Sequence, residues 1–162
     1  MEWTIRPATA KDLDRLSRIE SACFPPEQAA SRDSMAGRVA AWPQHILVGV
    51  ADGEIVGYAM GPVIPHPTIE DEMFSDPGCH DEKAPYQSVF SLAVHPDHQR
   101  KGYGRLLLNE LIRQARREGR RAVTLTCRAH KLAYYESFGF ENRGVAASCH
   151  GGVQWFDMLL KL

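Results

Sequence analysis

No apolar run in the 162 residues is long enough to span a bilayer, so no membrane partner is expected. The opening Met1-Glu2-Trp3-Thr4-Ile5-Arg6 has no apolar h-region. No secretory signal is read there, and a cytoplasmic location is the expectation. Neither sign of charge is in excess, since 19 Lys and Arg meet 20 Asp and Glu for a formal charge of −1. Nothing global therefore suggests nucleic acid as a partner. Cysteine is scarce, at Cys23, Cys79, Cys127 and Cys149, and no pair has CxxC spacing. Reduced, mostly buried thiols are expected rather than a disulfide framework. The adjacent pairs Cys79-His80 and Cys149-His150 cannot easily ligate one metal. No recognisable ligand set completes His95 and His98, so no metal is expected. Internal repeats and low-complexity tracts are also absent. The length suits one domain over residues 1–162 with one sizeable core.

Periodicity supplies the elements. Trp3–Arg6 is a short first strand. Thr9-Ala10-Lys11-Asp12 resembles a capping box, and Leu13, Leu16, Ile19 and Cys23 then recur at helical spacing until Pro25-Pro26. Ser31 caps a second helix with Met35, Val39 and Trp42 on one face and Pro43 as its stop. His45–Ala51 and Glu54–Val63 are strands around Asp52-Gly53, a two-residue hairpin signal. Residues 62–85 form a long Pro-punctuated stretch carrying Glu70, Asp71, Glu72, Asp76, Asp81 and Glu82. Loops this long are usually functional or disordered. Ser88–Val94 is a strand, Gly104–Glu118 an amphipathic helix, Ala122–Cys127 a strand and Ala129–Phe138 a short helix. Final strands are predicted near Glu141–Ala146 and Val153–Leu160, hinged at Gly151-Gly152. The mixture predicts an α/β (α+β) fold with a central mixed sheet and flanking helices.

The stretch "LAVHPDHQRKGYGRLLL" (92–108) places a basic, glycine-punctuated turn between a strand and a helix. Gly102 and Gly104 permit unusual backbone conformations and close approach. The helix start adds free N–H groups and a positive dipole end, and Arg100 and Lys101 add charge. Such a turn suits a phosphate or pyrophosphate. It matches neither GxxxxGK[ST] nor GxGxxG, so the common nucleotide fingerprints fail. On these residues alone, a plain turn with solvated bases remains equally open.

The context resembles the GNAT N-acetyltransferases. "VHPDHQRKGYGRLLL" is similar to their acyl-CoA motif, Gln/Arg-x-x-Gly-x-Gly/Ala after a strand. "IRPATAKDLDRL" resembles their first strand and helix, and "AYYESFGF" (133–140) their Tyr-x-x-x-Gly-Phe ending. "CFPPEQAAS", "DEMFSDPGCHDE" and "LTCRAHKLAYYESFGF" look like the arylalkylamine (serotonin-type) branch and its microbial relatives. The resemblance implies a splayed, mostly antiparallel sheet with acetyl-CoA as cosubstrate and no metal. The backbone of Leu92, Ala93 and Val94 would pair with the pantetheine arm. Gln99 or Arg100 would begin this cofactor-binding motif, and the amides of Arg100, Lys101, Gly102, Tyr103, Gly104 and Arg105 would wrap the pyrophosphate. The family's Asn before the motif tyrosine is missing here.

The implied reaction moves an acetyl group to the primary amine of a small arylalkyl- or polyamine. The alternatives are a protein N-terminal or lysine acetyltransferase and a catalytically silent acyl-CoA-binding module. An alkylamine with a pKa of about 10.4 must lose a proton before it attacks. Tyr135 matches the superfamily tyrosine beside the sulfur and would serve as acid, or simply pack the last helix. Animal serotonin-type enzymes carry two histidines where Ser88 and Phe90 stand, so that relay does not transfer. Glu27 in "FPPEQ" matches a glutamate of insect-like relatives and is the candidate base, or a solvated loop residue. His80, Asp81 and Glu82 are held in reserve. The acidic loop would favour a cationic amine if it faces the pocket, and is otherwise a solvated surface. Phe24, Pro25 and Pro26 would supply apolar walls, and the expected assembly is a monomer or homodimer.

Overall fold

Arg6 and Thr9 meet at Asp12 and start the fold. Asp12 accepts two hydrogen bonds from the Arg6 guanidinium, at 2.8 and 3.0 Å, and one from the Thr9 N–H at 2.8 Å. The Arg6 bonds, with help from Thr9, outweigh burial and hold the Asp12 carboxyl below the usual value. The computed structural model describes residues 2–148 and 150–162, so Cys149 lies outside the described residues. In chain order the elements are β1 (Trp3–Pro7), α1 (Leu13–Cys23), α2 (Arg32–Ala41), β2 (Ile46–Ala51), β3 (Glu54–Met60), β4 (Val63–Ile64) and β5 (Tyr86–Val89). There follow β6 (Ser91–Val94), α3 (Tyr103–Arg117), β7 (Ala122–Cys127), α4 (Leu132–Glu136), β8 (Glu141–Val145) and β9 (Phe156–Lys161). The 3-10 turns Asp71–Ser75 and Pro77–Cys79 punctuate the long loop.

Two expected strands are each broken in two, and the breaks face one another. Glu54–Val63 divides at Gly61-Pro62, and Ser88–Val94 divides at Phe90. A Cβ on Gly61 would lie 2.1 Å from the Ser88 carbonyl oxygen, a distance no side chain tolerates. Pro62 removes a ladder donor, and the Phe90 N–H turns to the Met60 carbonyl at 2.7 Å. The hairpin thereby passes from one sheet to another. The first sheet has the order β1-β2-β3-β6, and the second β4-β5-β7-β9-β8. Every pairing is antiparallel except β5 with β7. Asp52 and Gly53 close the β2–β3 hairpin with positive φ at both positions, as its sequence implied.

Apolar faces cover both sides of the sheets. Leu107, Leu108, Leu111 and Ile112 of α3 pack with Val89, Val123, Leu125, Phe140 and Met158. On the other face Leu16 and Ile19 of α1 and Met35 and Val39 of α2 pack with Trp42, Ile46, Tyr58 and Met60. Among the described residues, no helix is long and apolar enough to cross a membrane. Cys23 and Cys79 are half-buried free thiols; Cys127 is fully buried, which pushes its thiol up to about 11.

The loop before β5 is pinned by a polar cluster. Gln87 Nε2 donates to the Gly61 and Ser88 carbonyls, each at 2.7 Å, which turns its Oε1 to His45 Nδ1 at 2.9 Å. His80 Nδ1 accepts the Val63 N–H at 2.9 Å, so its proton sits on Nε2 and faces Glu82 at 3.2 Å. Arg120 adds a bond to the other Glu82 oxygen at 2.5 Å. His45, His80 and Glu82 have metal-ligand spacing, but a protonated His80 Nε2 is a donor rather than a ligand. Burial raises the Glu82 carboxyl, and the bonds from His45, His80 and Arg120 more than reverse this.

Candidate active site

Breaking the hairpin at Phe90 leaves β6 as the free edge of the first sheet, splayed away from β7 in the second. The His95 N–H bonds to Val56, so the antiparallel alternation turns the Ala93 backbone toward β3 and those of Leu92 and Val94 toward the gap. Ala93 is therefore committed within its own sheet, unlike the Leu92 and Val94 expected beside it. The Val94 carbonyl already accepts from Gln99 Nε2 at 2.9 Å and the Cys23 thiol at 3.1 Å. A cavity of about 1020 Å³ fills the gap and runs on under α1, large enough for an extended ligand plus a second small molecule.

One end of the cavity is the glycine turn. Arg100 and Gly102 both take positive φ, 64° and 86°, just before α3. Consecutive left-handed and right-handed residues aim several backbone N–H groups into one concavity, and the first-turn amides of α3 join them. Gly104 has an ordinary helical φ; its role is space, because a Cβ there would lie 3.3 Å from the Tyr134 hydroxyl. Tyr103 is buried and stacked on Trp3 with ring centroids 4.6 Å apart. Arg105 bonds to Ser137 Oγ at 2.8 Å and lies 4.2 Å over the Phe138 ring, tying α3 to α4. Gln99, Arg100, Gly102, Tyr103, Gly104 and Arg105 line the cavity, whereas Lys101 is exposed outside its walls. Arg128, His130 and Lys131 line the same end and were not singled out from the sequence. They follow β7 without a glycine signature, so nothing marked them as a partner of the distant turn.

The middle of the cavity carries Tyr134 and Tyr135 of α4. Neither hydroxyl has a hydrogen-bond partner among the described residues. Burial, with smaller contributions from Tyr134 and Cys127, pushes the Tyr135 phenol far up and keeps it protonated. Burial raises Tyr134 too, against the opposing charge of Arg105.

The far end is walled by Phe24, Phe74, Phe90 and Trp155, with Glu20 at its floor. Glu20 is 4% exposed and accepts from Tyr58 OH at 2.5 Å, Ser91 Oγ at 2.9 Å and the Ala30 N–H at 3.0 Å. Burial, then the Glu20 charge, raise the Tyr58 phenol well above its ordinary value. Glu20 was legible as an anomaly, since it sits four residues after Leu16 on the apolar stripe of α1. Three segments meet over this end. His150 Nε2 contacts the Gln28 carbonyl at 3.1 Å, its ring stacks on Phe74 at 4.8 Å, and Trp155 Nε1 donates to its carbonyl at 2.7 Å. Ser148 also bonds to Asp71.

Other expected residues lie elsewhere. Glu27 is exposed and is not among the cavity walls, although Pro25 and Gln28 are. Its loop turns at Pro25, whose carbonyl takes the Gln28 and Ala29 N–H groups, and Glu27 falls on the outer side. Pro26 is likewise exposed. Among the described acids of the 62–85 stretch, Asp71 alone lines the cavity. Asp76 caps Gly78, Asp81 caps Lys83, and Glu82 anchors His45, His80 and Arg120. The reserve set of His80, Asp81 and Glu82 is therefore structural. Ser88 is fully buried with its hydroxyl on the Pro62 carbonyl at 2.6 Å, and Phe90 is a wall.

Residues 13–140 match the model of the Acetyltransferase (GNAT) family. The chain belongs to that family. It is 27% identical over 119 residues to the uncharacterized N-acetyltransferase YkwB of Bacillus subtilis (strain 168), covering 67% of this chain and 53% of that protein. It is 43% identical over 56 residues to the [ribosomal protein bS18]-alanine N-acetyltransferase of Escherichia coli (strain K12), 33% of this chain and 38% of that enzyme. The matches thus span about half or less of these curated relatives. The match reaches the GNAT family as a whole and not its serotonin-type branch. The GNAT-like decarboxylase GphF, solved with isobutyryl-CoA, shares the fold at a TM-score of 0.85, 22% identity and 98% coverage of both chains. So does yncA from Salmonella typhimurium, solved with acetyl-CoA, at a TM-score of 0.71 and 24% identity over 100% of this chain and 95% of that one.

Proposed function

We propose that this GNAT chain acetylates the primary amine of a small molecule by direct transfer from acetyl-CoA. One observation carries the choice of a small acceptor. His150 draws the Phe24–Ser31 loop, the Asp71–Ser75 turn and Trp155 together over the acceptor end. A polypeptide needs an open groove there, and a small amine does not. The second reading, protein N-terminal acetylation, draws on the 43% identical segment of the bS18-alanine enzyme.

Acetyl-CoA would supply an activated thioester. The positive-φ turn at Arg100 and Gly102 and the start of α3 would hold its pyrophosphate, and Leu92 and Val94 its pantetheine arm. The unpaired N–H of one of these strand residues would stabilise the oxyanion formed as the amine nitrogen attacks. Glu20 would draw the ammonium form to the floor of the cavity, and its carboxylate would receive the proton, directly or through water. The Tyr135 hydroxyl would donate to the departing thiolate. Its raised pKa suits a hydrogen-bond donor better than a strong acid.

The test is release of free CoA thiol with acetyl-CoA and two panels, one of small primary amines and one of peptides with free N-termini. Turnover with small amines is expected. Turnover confined to peptides would replace this reading with the second one.

A further inference from the structure

Arg38 is a buried cation with no ion-pair partner among the described residues. It projects from α2, is 4% exposed and lines the acceptor end of the cavity with Glu20, Phe74 and Phe90. Its Nη2 donates to the Phe74 carbonyl at 3.0 Å, and its Nη1 meets the Met60 sulfur at 3.7 Å. Its Nε has no partner among the described residues. A guanidinium offers five N–H donors, and here one meets an oxygen. Glu20 acts on Arg38 through space, but none of its hydrogen bonds comes from the guanidinium: Tyr58 and Ser91 donate to Oε1 and the Ala30 N–H to Oε2, which leaves one acceptor position on Oε2 open to the cavity. A desolvated charge without a paired ion is costly, and the apolar neighbours Met35 and Val39 show that this face packs without one. Desolvation accordingly lowers the Arg38 pKa. The guanidinium also lies 5.4 Å over the Phe90 ring, which fixes its plane beside the cavity.

We propose that Arg38 receives a substrate carboxylate, so that the molecule at this end carries both an amine and a carboxylate, as an amino acid does. Glu20 and Arg38 then present opposite charges to opposite ends of a zwitterion, between walls suited to an apolar side chain. This inference rests on the small-amine reading and names the acceptor class. The same carboxylate could instead arrive on the acyl group of the thioester, and the experiment separates the two sources.

Rates of thiol release are measured for alanine, leucine and phenylalanine against their amides, which keep shape and amine but lose the negative charge. The enzymes are wild type, Arg38→Met and Arg38→Lys. The wild type is expected to prefer the acids in kcat/KM. The acid-to-amide ratio should fall about tenfold or more in Arg38→Met and less in Arg38→Lys. In a second arm, succinyl-CoA and butyryl-CoA are compared with phenethylamine as acceptor. An Arg38-dependent preference for succinyl-CoA would assign the carboxylate to the acyl group. Equal ratios in all three proteins in both arms overturn the inference. Should the variants fail to fold, calorimetric binding of phenylacetate against phenylacetamide to the wild type decides. Tighter phenylacetate binding supports the carboxylate site, and equal binding removes it. This measurement needs no turnover, so it stands even if no amine in the panel is acetylated.

Discussion

Replacing Gly102 and Gly104 one at a time separates two reasons for a glycine. Gly102 holds a φ of 86°, and a Cβ there would meet nothing within 4 Å. Gly102→Ala therefore acts through the backbone alone, costing about 1–2 kcal/mol for an L-residue forced left-handed. For a chain of this size that lowers Tm by roughly 2–8 °C. Gly104 is already helical, so Gly104→Ala carries no such penalty and gains up to about 1 kcal/mol of helix propensity. Its new methyl lies 3.3 Å from the Tyr134 hydroxyl and 3.7 Å from Val94 Cγ2, on the wall of the cavity. A flexible tyrosine end can retreat a few tenths of an ångström, so one methyl should weaken acetyl-CoA binding by about tenfold, or 1.4 kcal/mol. Gly104→Val, with two more carbons at the same wall, should cost more. Differential scanning calorimetry reads the first effect and isothermal titration with acetyl-CoA the second. The expected pattern is a lower Tm for Gly102→Ala, and an unchanged or higher Tm with weaker binding for Gly104→Ala. Wild-type affinity in folded Gly104→Val would refute the placement of the thioester in this gap.

Tyr135→Phe removes one hydroxyl and should lower kcat by about a hundredfold while leaving acetyl-CoA affinity intact, as stopped-flow turnover and titration would report. Glu20→Gln should lose most of its rate at neutral pH and recover as pH rises toward an amine pKa of about 10.4, where neutral acceptor is abundant. Glu27→Gln should follow the wild-type profile throughout, and a pH-dependent loss there would return the base to Glu27. The lowered His80 pKa, caused first by burial and then by His45, makes its neutral ring part of the folded state. Stability from this group is present above the unfolded pKa of about 6.5 and is lost as pH falls through the lower folded value. Glu82, also depressed, adds a loss at lower pH. Glu82→Gln should remove the loss at lower pH while steepening the one from His80, whose shift Glu82 opposes, and an unchanged Tm-against-pH curve would remove the anchor from the stability argument.

Local signals explain what was legible in the sequence. The α3 stripe, the Asp52-Gly53 hairpin and the glycine turn each rest on spacings of a few residues, and the structure has them where the pattern put them. The breaks at Gly61 and Phe90 were not legible, because each strand alone reads as continuous. They arise from the contact between Gly61 and Ser88, which are 27 positions apart. The acidic stretch misled for a related reason. A run of carboxylates looks like one charged surface, whereas Asp76 and Asp81 cap turns and Glu82 pairs with distant His45 and Arg120. Glu20 and Arg38 each sit within an apolar helical stripe, where a pattern of hydrophobic positions passes over them. Glu27 rests on the resemblance of its loop alone, and the direction in which a loop residue faces is set by the turn around it.

The division of labour around the broken hairpin bears on how such a chain diversifies. Besides Glu20, Arg38 and Phe90, the walls of the acceptor end come from segments 24–31, 71–75 and 150–155, none of which contributes a strand to either sheet. The positive-φ turn at Arg100 and Gly102 and the free edge of β6 come from the region between Ser91 and Arg105, at the join of the sheets. Insertions or substitutions in the three outer segments can reshape the acceptor end without disturbing that join. A lineage of this architecture is thus free to change what enters that end by rewriting peripheral loops, while the gap beside β6 is inherited unchanged.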